Sequence, residues 1–303
     1  MNILVVGAGA MGSLFAAFLS QHNHVVLFGR SYQKNVIQKQ GLTITGKTNM
    51  VVHLPVVDSV HDVDCSPDLI IIAVKSYDTI TALNTIRSLV SPHTKILSLQ
   101  NGLDNLEKIQ NSLQKQYIFG GVTTHGAFVV KPGVVNHTGV GRTVIGSWNS
   151  GKAHDVDQLV SVFTTAGIKT QRSIDLRRDV WKKAVINSSI NPLTALFTCT
   201  NGYLVDNPVL EGILKKICYE STRVACSQGI DVSFPLMIRL TKQVIRETAG
   251  NYSSMLQSIQ QGKKTEIDAI NGVIVRMGKQ QGITVSLNQI LVLFFNSLAP
   301  KQY

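Results

Sequence analysis

Histidine is missing from half of this chain. All eight histidines of the 303 residues lie between His22 and His154, so any acid–base residue supplied by the remainder is of another type. Cysteine is sparse: Cys65, Cys199, Cys218 and Cys226 form no CxxC pair and are scattered, which points to neither a zinc site nor a disulfide framework. They read as reduced, mostly buried thiols, and no metal is expected. No apolar run nears the ~20 residues of a bilayer-spanning helix, so no membrane partner is expected. No Lys or Arg precedes Arg30, so the apolar start lacks the basic n-region of a secretory signal. The expectation is a soluble, cytoplasmic protein. Internal repeats and low-complexity linkers are also missing.

Charge is one-sided but dispersed. The net charge is +11, carried by pairs such as Arg177-Arg178, Lys182-Lys183 and Lys215-Lys216 rather than by a tract. That argues against a nucleic-acid partner and suits an enzyme whose cofactor and substrate are anions, because a positive field concentrates both.

What is present is concentrated at the start. An apolar run from Ile3 to Val6 leads into Gly7-Ala8-Gly9-Ala10-Met11-Gly12, then a helix-like Leu14 to Leu19, then a second run, Val25 to Phe28. This is strand, glycine turn, helix, strand. Gly7 suits the tight turn, Gly9 lets backbone approach a pyrophosphate, and Gly12 permits close helix–strand packing. The helix N-terminus offers unpaired N–H groups to phosphates. At the end of the second strand, where an acidic residue would accept from a ribose 2′-OH, the chain has Arg30. A guanidinium fits a 2′-phosphate, so the expected cofactor is NADP(H).

Farther on, residues 31–40 read as a helix and 42–55 as paired strands. Residues 68–74 and 95–99 read as buried parallel strands around a helix over 79–89. Lys75 and Asn101 follow these strands, at the carboxyl ends where such sheets bind ligands. Lys75 could touch cofactor or substrate, and Asn101 offers a donor and an acceptor near a nicotinamide. Residues 117–148 read as antiparallel strands extending the sheet, with His125 in a structural role. The fold class is α/β: a Rossmann-type dinucleotide-binding domain, residues 1–171, followed by an all-helical domain, residues 172–303.

In the helical half, Lys183, Asn187 and Asn191 fall at i, i+4 and i+8, one polar stripe. Pro192 is expected to kink or end that helix. Asn251, Ser254 and Ser258 read as a second stripe, on a later helix. Apart from Lys183, both stripes consist of uncharged amides and hydroxyls, as in a substrate-lined cleft.

The strings Trp181-Lys-Lys-Ala-Val-Ile-Asn-Ser-Ser-Ile-Asn-Pro-Leu-Thr-Ala195, Asn251-Tyr-Ser-Ser-Met-Leu-Gln257 and Thr265-Glu-Ile-Asp-Ala-Ile-Asn-Gly272 resemble the signatures of the ketopantoate reductase (2-dehydropantoate 2-reductase) family. With Gly7 to Gly12, Arg30, Lys75, Asn101-Gly102 and Gly121-Val-Thr-Thr-His125, the resemblance runs over nearly the whole chain. It implies NADPH-dependent reduction of 2-dehydropantoate to (R)-pantoate, with Lys183 as general acid and Glu266 as its acidic partner. By the same resemblance Asn187, Asn191, Asn251 and Ser254 bind substrate, and Lys75 and Asn101 lie beside cofactor and substrate. A monomer or homodimer is expected. Reduction of another branched 2-oxo acid to a D-2-hydroxy acid is the alternative.

Overall fold

The computed structural model describes residues 1–113, 117–149 and 153–298. The chain divides into two compact units: Met1–Gln100 with Asn105–Leu176, and Asn101–Asp104 with Arg177–Tyr303.

The first unit holds twelve strands: β1 (Asn2–Val6), β2 (His24–Phe28), β3 (Leu42–Gly46), β4 (Met50–Val52), β5 (Val56–Val57), β6 (Leu69–Ile72), β7 (Lys95–Ser98), β8 (Tyr117–Thr123), β9 (Gly126–Lys131), β10 (Val134–Gly139), β11 (Thr143–Ser147) and β12 (Thr170–Arg172). Eight of them form one sheet in the order β12-β11-β8-β7-β6-β1-β2-β5, parallel throughout except where β8 meets β11. From β1 the chain moves outward to β2 and β5, then returns to the other side of β1 as β6. The strand order therefore reverses at β1 and β6, the place where open α/β sheets bind ligands. β1 and β6 are apolar on both faces and almost entirely buried, as central parallel strands are.

The stretch 117–148 departs from expectation. Only β8 and β11 join the large sheet, and β8 runs parallel to β7. The hairpin β9–β10 pairs instead with β3 and β4 in a second sheet, β4-β3-β10-β9. Helix α1 (Ala10–Leu19) packs against β3, β9 and β10 of that second sheet as well as against β1 and β2. Gly12, Ser13, Leu14, Phe15, Ala16, Ala17 and Leu19 are all buried, because a helix covered on both sides needs apolar residues all round.

Helices α2 (Ser31–Gln40), α3 (Thr79–Ile86), α4 (Asn105–Ser112) and α5 (Ala153–Thr165) complete the first unit. The second unit contains α6 (Leu176–Phe197), α7 (Tyr203–Asp206), α8 (Pro208–Ser227), α9 (Phe234–Glu247), α10 (Ser254–Gln260), α11 (Asn271–Gln280) and α12 (Ser286–Ser297). Among its described residues there is no strand. No helix among the described residues is long and apolar enough to cross a membrane.

Pro192 does not end its helix. α6 runs five residues past it, to Phe197. Proline lacks the N–H that would bond the carbonyl of Ser188 four residues earlier, and the buried side chain of Asn271 supplies the missing donor to that carbonyl at 3.0 Å. Asn251 is also displaced from its expected helix: α10 begins at Ser254, with Ser253 as N-cap. Asn251 sits in the preceding turn, its N–H bonded to the Thr248 carbonyl at 2.9 Å.

Candidate active site

In the first unit Gly7 and Gly12 occupy positions that other residues would not tolerate. Gly7 has φ +112, and a Cβ there would come within 2.8 Å of the Val74 amide nitrogen. At Gly12 a Cβ would overlap the Gly7 carbonyl oxygen, 1.9 Å away. At Gly9 a Cβ would meet nothing within 4 Å, so no neighbour within the protein demands glycine there, and the bare backbone leaves room for close approach by a ligand. Gly9 is the N-cap of α1, with no side-chain cap and no acidic residue in the first turn. The N–H groups and positive dipole end of Ala10, Met11 and Gly12 are therefore directed at whatever binds beyond β1. These features fit a dinucleotide pyrophosphate.

Gln33 was not apparent from the sequence. It is buried, and its side-chain amide donates to the Ala8 carbonyl, fixing the glycine turn against α2. Arg30 stands at the end of β2 with its side chain 77% exposed, and its nearest acidic partner is Asp78 at 4.0 Å. An exposed pair at that separation is weak, so the guanidinium can turn to a phosphate. Lys75 is half-buried beyond β6, and its carbonyl accepts the Asp78 N–H at 2.8 Å. Asp78 thus links the Arg30 and Lys75 segments on either side of β1. His125 and His137 stack, with ring nitrogens 3.0 Å apart. Burial, with His137 beside it, pushes His125 down to about 4, leaving it neutral at physiological pH.

In the second unit, α6 presents the predicted stripe. Lys183 and Asn187 are half-buried and Asn191 is buried. Burial pushes the Lys183 ammonium down to about 8, and the negative charge of Glu266 works against that shift. Glu266 is itself 9% exposed and immediately precedes a 3-10 turn, Ile267–Ala269, that leads into α11. The loop Asn101–Asp104 is tied to the same region: the Leu103 N–H donates to the Ala269 carbonyl at 3.0 Å, and Arg276 pairs with Asp104 at 3.6 Å. Asn101 therefore belongs with Glu266 in this unit.

The start of α10 is fixed to α6 by the Thr194 and Ser253 hydroxyls, 2.7 Å apart, and the Asn201 N–H holds the Asn251 carbonyl at 2.9 Å. Ser253 is buried and caps the helix, whereas Ser254 is exposed. Among the described residues, the side chains of Lys183, Asn187, Asn191 and Asn251 make no hydrogen bond. An ammonium and three amides with uncommitted donors, on elements pinned to one another, can receive a small polar molecule.

A family model described as "Ketopantoate reductase PanE/ApbA" matches residues 3–150, and its C-terminal counterpart matches residues 175–298. The chain belongs to the ketopantoate reductase family. Within that family it is 39% identical to the 2-dehydropantoate 2-reductase of Pyrococcus abyssi over 96% of this chain and 95% of that one. It is 34% identical to the enzyme of the same name from Vibrio cholerae, over the same shares of each chain. A ketopantoate reductase structure from Ralstonia eutropha JMP134 superimposes with TM-score 0.90 at 28% identity, covering 100% of this chain and 99% of that one. A D-mandelate dehydrogenase solved with NADH and anilino(oxo)acetate gives TM-score 0.93 at 28% identity, covering 98% of each.

Proposed function

We propose that this ketopantoate reductase family member reduces 2-dehydropantoate to (R)-pantoate with NADPH, a step toward coenzyme A. The observation that carries the reading is the half-buried Lys183 ammonium, brought to about 8 beside Glu266 and on one helix stripe with Asn187 and Asn191. Residues 1–171 are assigned to the dinucleotide and residues 172–303 to the substrate and the proton.

Gly7, Ala8, Gly9, Ala10, Met11 and Gly12 hold the pyrophosphate through backbone N–H groups, and Arg30 clamps the 2′-phosphate. Lys75 and Asn101 contact the nicotinamide side of the site. When bound, the reduced nicotinamide supplies hydride. As the C2 ketone oxygen gains negative charge, Lys183 stabilises it and delivers the proton. A donor near 8 is still protonated at neutral pH yet gives up its proton more readily than a solvated lysine. Glu266 keeps that ammonium from falling further. Asn187, Asn191, Asn251 and Ser254 hydrogen-bond the carboxylate and hydroxyl ends of the substrate, so a 2-oxo acid lacking the hydroxyl leaves amides unpaired. The protein acts in the cytoplasm as a monomer or homodimer.

The deciding measurement is cofactor oxidation, followed by absorbance, with 2-dehydropantoate beside 2-oxoisovalerate, and NADPH beside NADH. Fast turnover of 2-dehydropantoate with NADPH is the expected result. The likeness to a D-mandelate dehydrogenase favours a second reading, a reductase of another 2-oxo acid. A preference for 2-oxoisovalerate would select it.

A further inference from the structure

Proline inside a helix releases a carbonyl, and here the released group is put to use. Ser188 lies on α6 between Asn187 and Asn191, one turn beyond Lys183. Its carbonyl has no N–H at Pro192 to bond with, and Asn271 Nδ2 donates to it at 3.0 Å. The same amide donates to Asn288 Oδ1 at 3.0 Å, and the Asn288 Nδ2 donates to Glu220 at 2.8 Å. Ser188 is held a second time, its hydroxyl 2.9 Å from that of Ser221, which in turn donates to Asn288 Oδ1 at 3.3 Å. Glu220 also accepts the Leu287 and Asn288 backbone N–H groups, both at 3.1 Å, capping α12 from α8. Ser188, Ser221, Asn271 and Asn288 are all fully shielded from solvent or nearly so.

The network joins the two elements that carry the groups assigned to proton transfer. Asn271 opens α11, one short turn after Glu266, and Ser188 sits on the helix that carries Lys183. We infer that Asn271 is a positioning residue: through the carbonyl that Pro192 frees, it fixes the Glu266 turn against the Lys183 helix and so sets how strongly Glu266 acts on the ammonium. This inference rests on the proposed roles of Lys183 and Glu266. The bond itself does not, which lets the two be tested apart.

The test is a cycle of Asn271→Ala, Pro192→Ala and the double variant, read by thermal unfolding without ligand and by the pH dependence of kcat/KM. Asn271→Ala strands a buried carbonyl and is expected to lower Tm by roughly 2–10 °C. In the Pro192→Ala background residue 192 has an N–H for that carbonyl, so the Tm loss shrinks to less than half, a non-additivity diagnostic of direct coupling. Kinetics are expected to behave differently. The tether is gone in both Asn271→Ala variants, so in both the basic limb of kcat/KM moves to lower pH and kcat falls by about tenfold or more. Should Asn271→Ala fail to fold, Asn271→Ser, which keeps one donor on a shorter side chain, takes its place in the cycle. Equal Tm losses in the two backgrounds would overturn the role of the freed carbonyl. A folded variant with an unmoved basic limb and normal kcat would overturn the positioning role. If Glu266→Gln also leaves the limb unmoved, the acid–base assignment fails instead, while the Tm cycle still judges the bond.

Discussion

Replacing Lys183 by methionine is expected to abolish turnover and to stabilise the folded protein. The side chain is brought from 10.5 to about 8 by burial, net of the opposing attraction of Glu266. At ~1.4 kcal/mol for each tenfold change in proton affinity, the folded state holds this charge at a cost of roughly 3 kcal/mol. Methionine keeps an unbranched side chain of similar length and removes the charge. The sign follows from proton counting. Below about pH 8 the ammonium is present in both folded and unfolded chains, and the wild type bears the whole cost. Between about 8 and 10.5 the folded chain sheds its proton while the unfolded chain keeps it, so wild-type stability rises with pH. Above 10.5 neither state is charged and the difference vanishes.

The assay is thermal unfolding of the two proteins without ligand, at pH 7 and near pH 10.5. At pH 7 the Lys183→Met variant is expected to melt roughly 6–12 °C higher, on the scale of a few degrees per kcal/mol, and near pH 10.5 most of that gain is lost. A variant that melts lower at pH 7, or a gain that is the same at both pH values, would refute the reasoning. The expected result is the signature of a group kept at a cost in stability for the sake of activity.

Lys183→Ala is expected to reduce kcat by a factor of roughly 100 or more, the loss typical of a general acid; single-turnover cofactor oxidation measures it, and near-normal turnover would discard the assignment. The general acid works when protonated, so ketone reduction by the wild type falls as pH rises through about 8. Because Glu266 raises the affinity of Lys183 for its proton, Glu266→Gln shifts that limb of kcat/KM to lower pH, by about one unit or more; a shift upward or none contradicts the pairing. Arg30→Ala is expected to raise KM for NADPH about tenfold or more, with little change for NADH. Equal effects on the two cofactors would place the 2′-phosphate elsewhere.

The glycine turn was legible because its constraints are local. A left-handed φ at Gly7 and an overlap of 1.9 Å at Gly12 follow from a few adjacent residues. The second sheet was hidden because its pairing is not: β3 finds β10 some ninety residues away, and no local pattern announces that choice. One clue stood in the sequence unused. The Leu14 to Leu19 stretch is apolar on every side, more than a helix lying on one sheet requires. Local rules left open whether the helix would continue past Pro192, and they failed at Asn251. In the first case a distant amide satisfies the carbonyl that proline leaves open. In the second the i, i+3, i+7 spacing began at Asn251 in the turn before α10, so only its later members lie on the helix.

The shortage of charge on the helical polar stripes had two causes that a sequence cannot separate. Asn187, Asn191 and Asn251 keep their side-chain amides uncommitted among the described residues, as groups awaiting a ligand do. Ser188, Ser189, Thr194, Ser253, Asn271 and Asn288 spend theirs inside the protein, on carbonyls, a helix cap and one another. Both sets are neutral because a full charge on these packed faces would need a partner of its own. Lys183 is the exception on the α6 stripe, and the burial that brings it to about 8 is produced by that same packing. The inward set therefore does more than fill space: it fixes α6 against α10 and α11 through neutral groups, and the negative charge of Glu266 opposes the effect of burial on the ammonium.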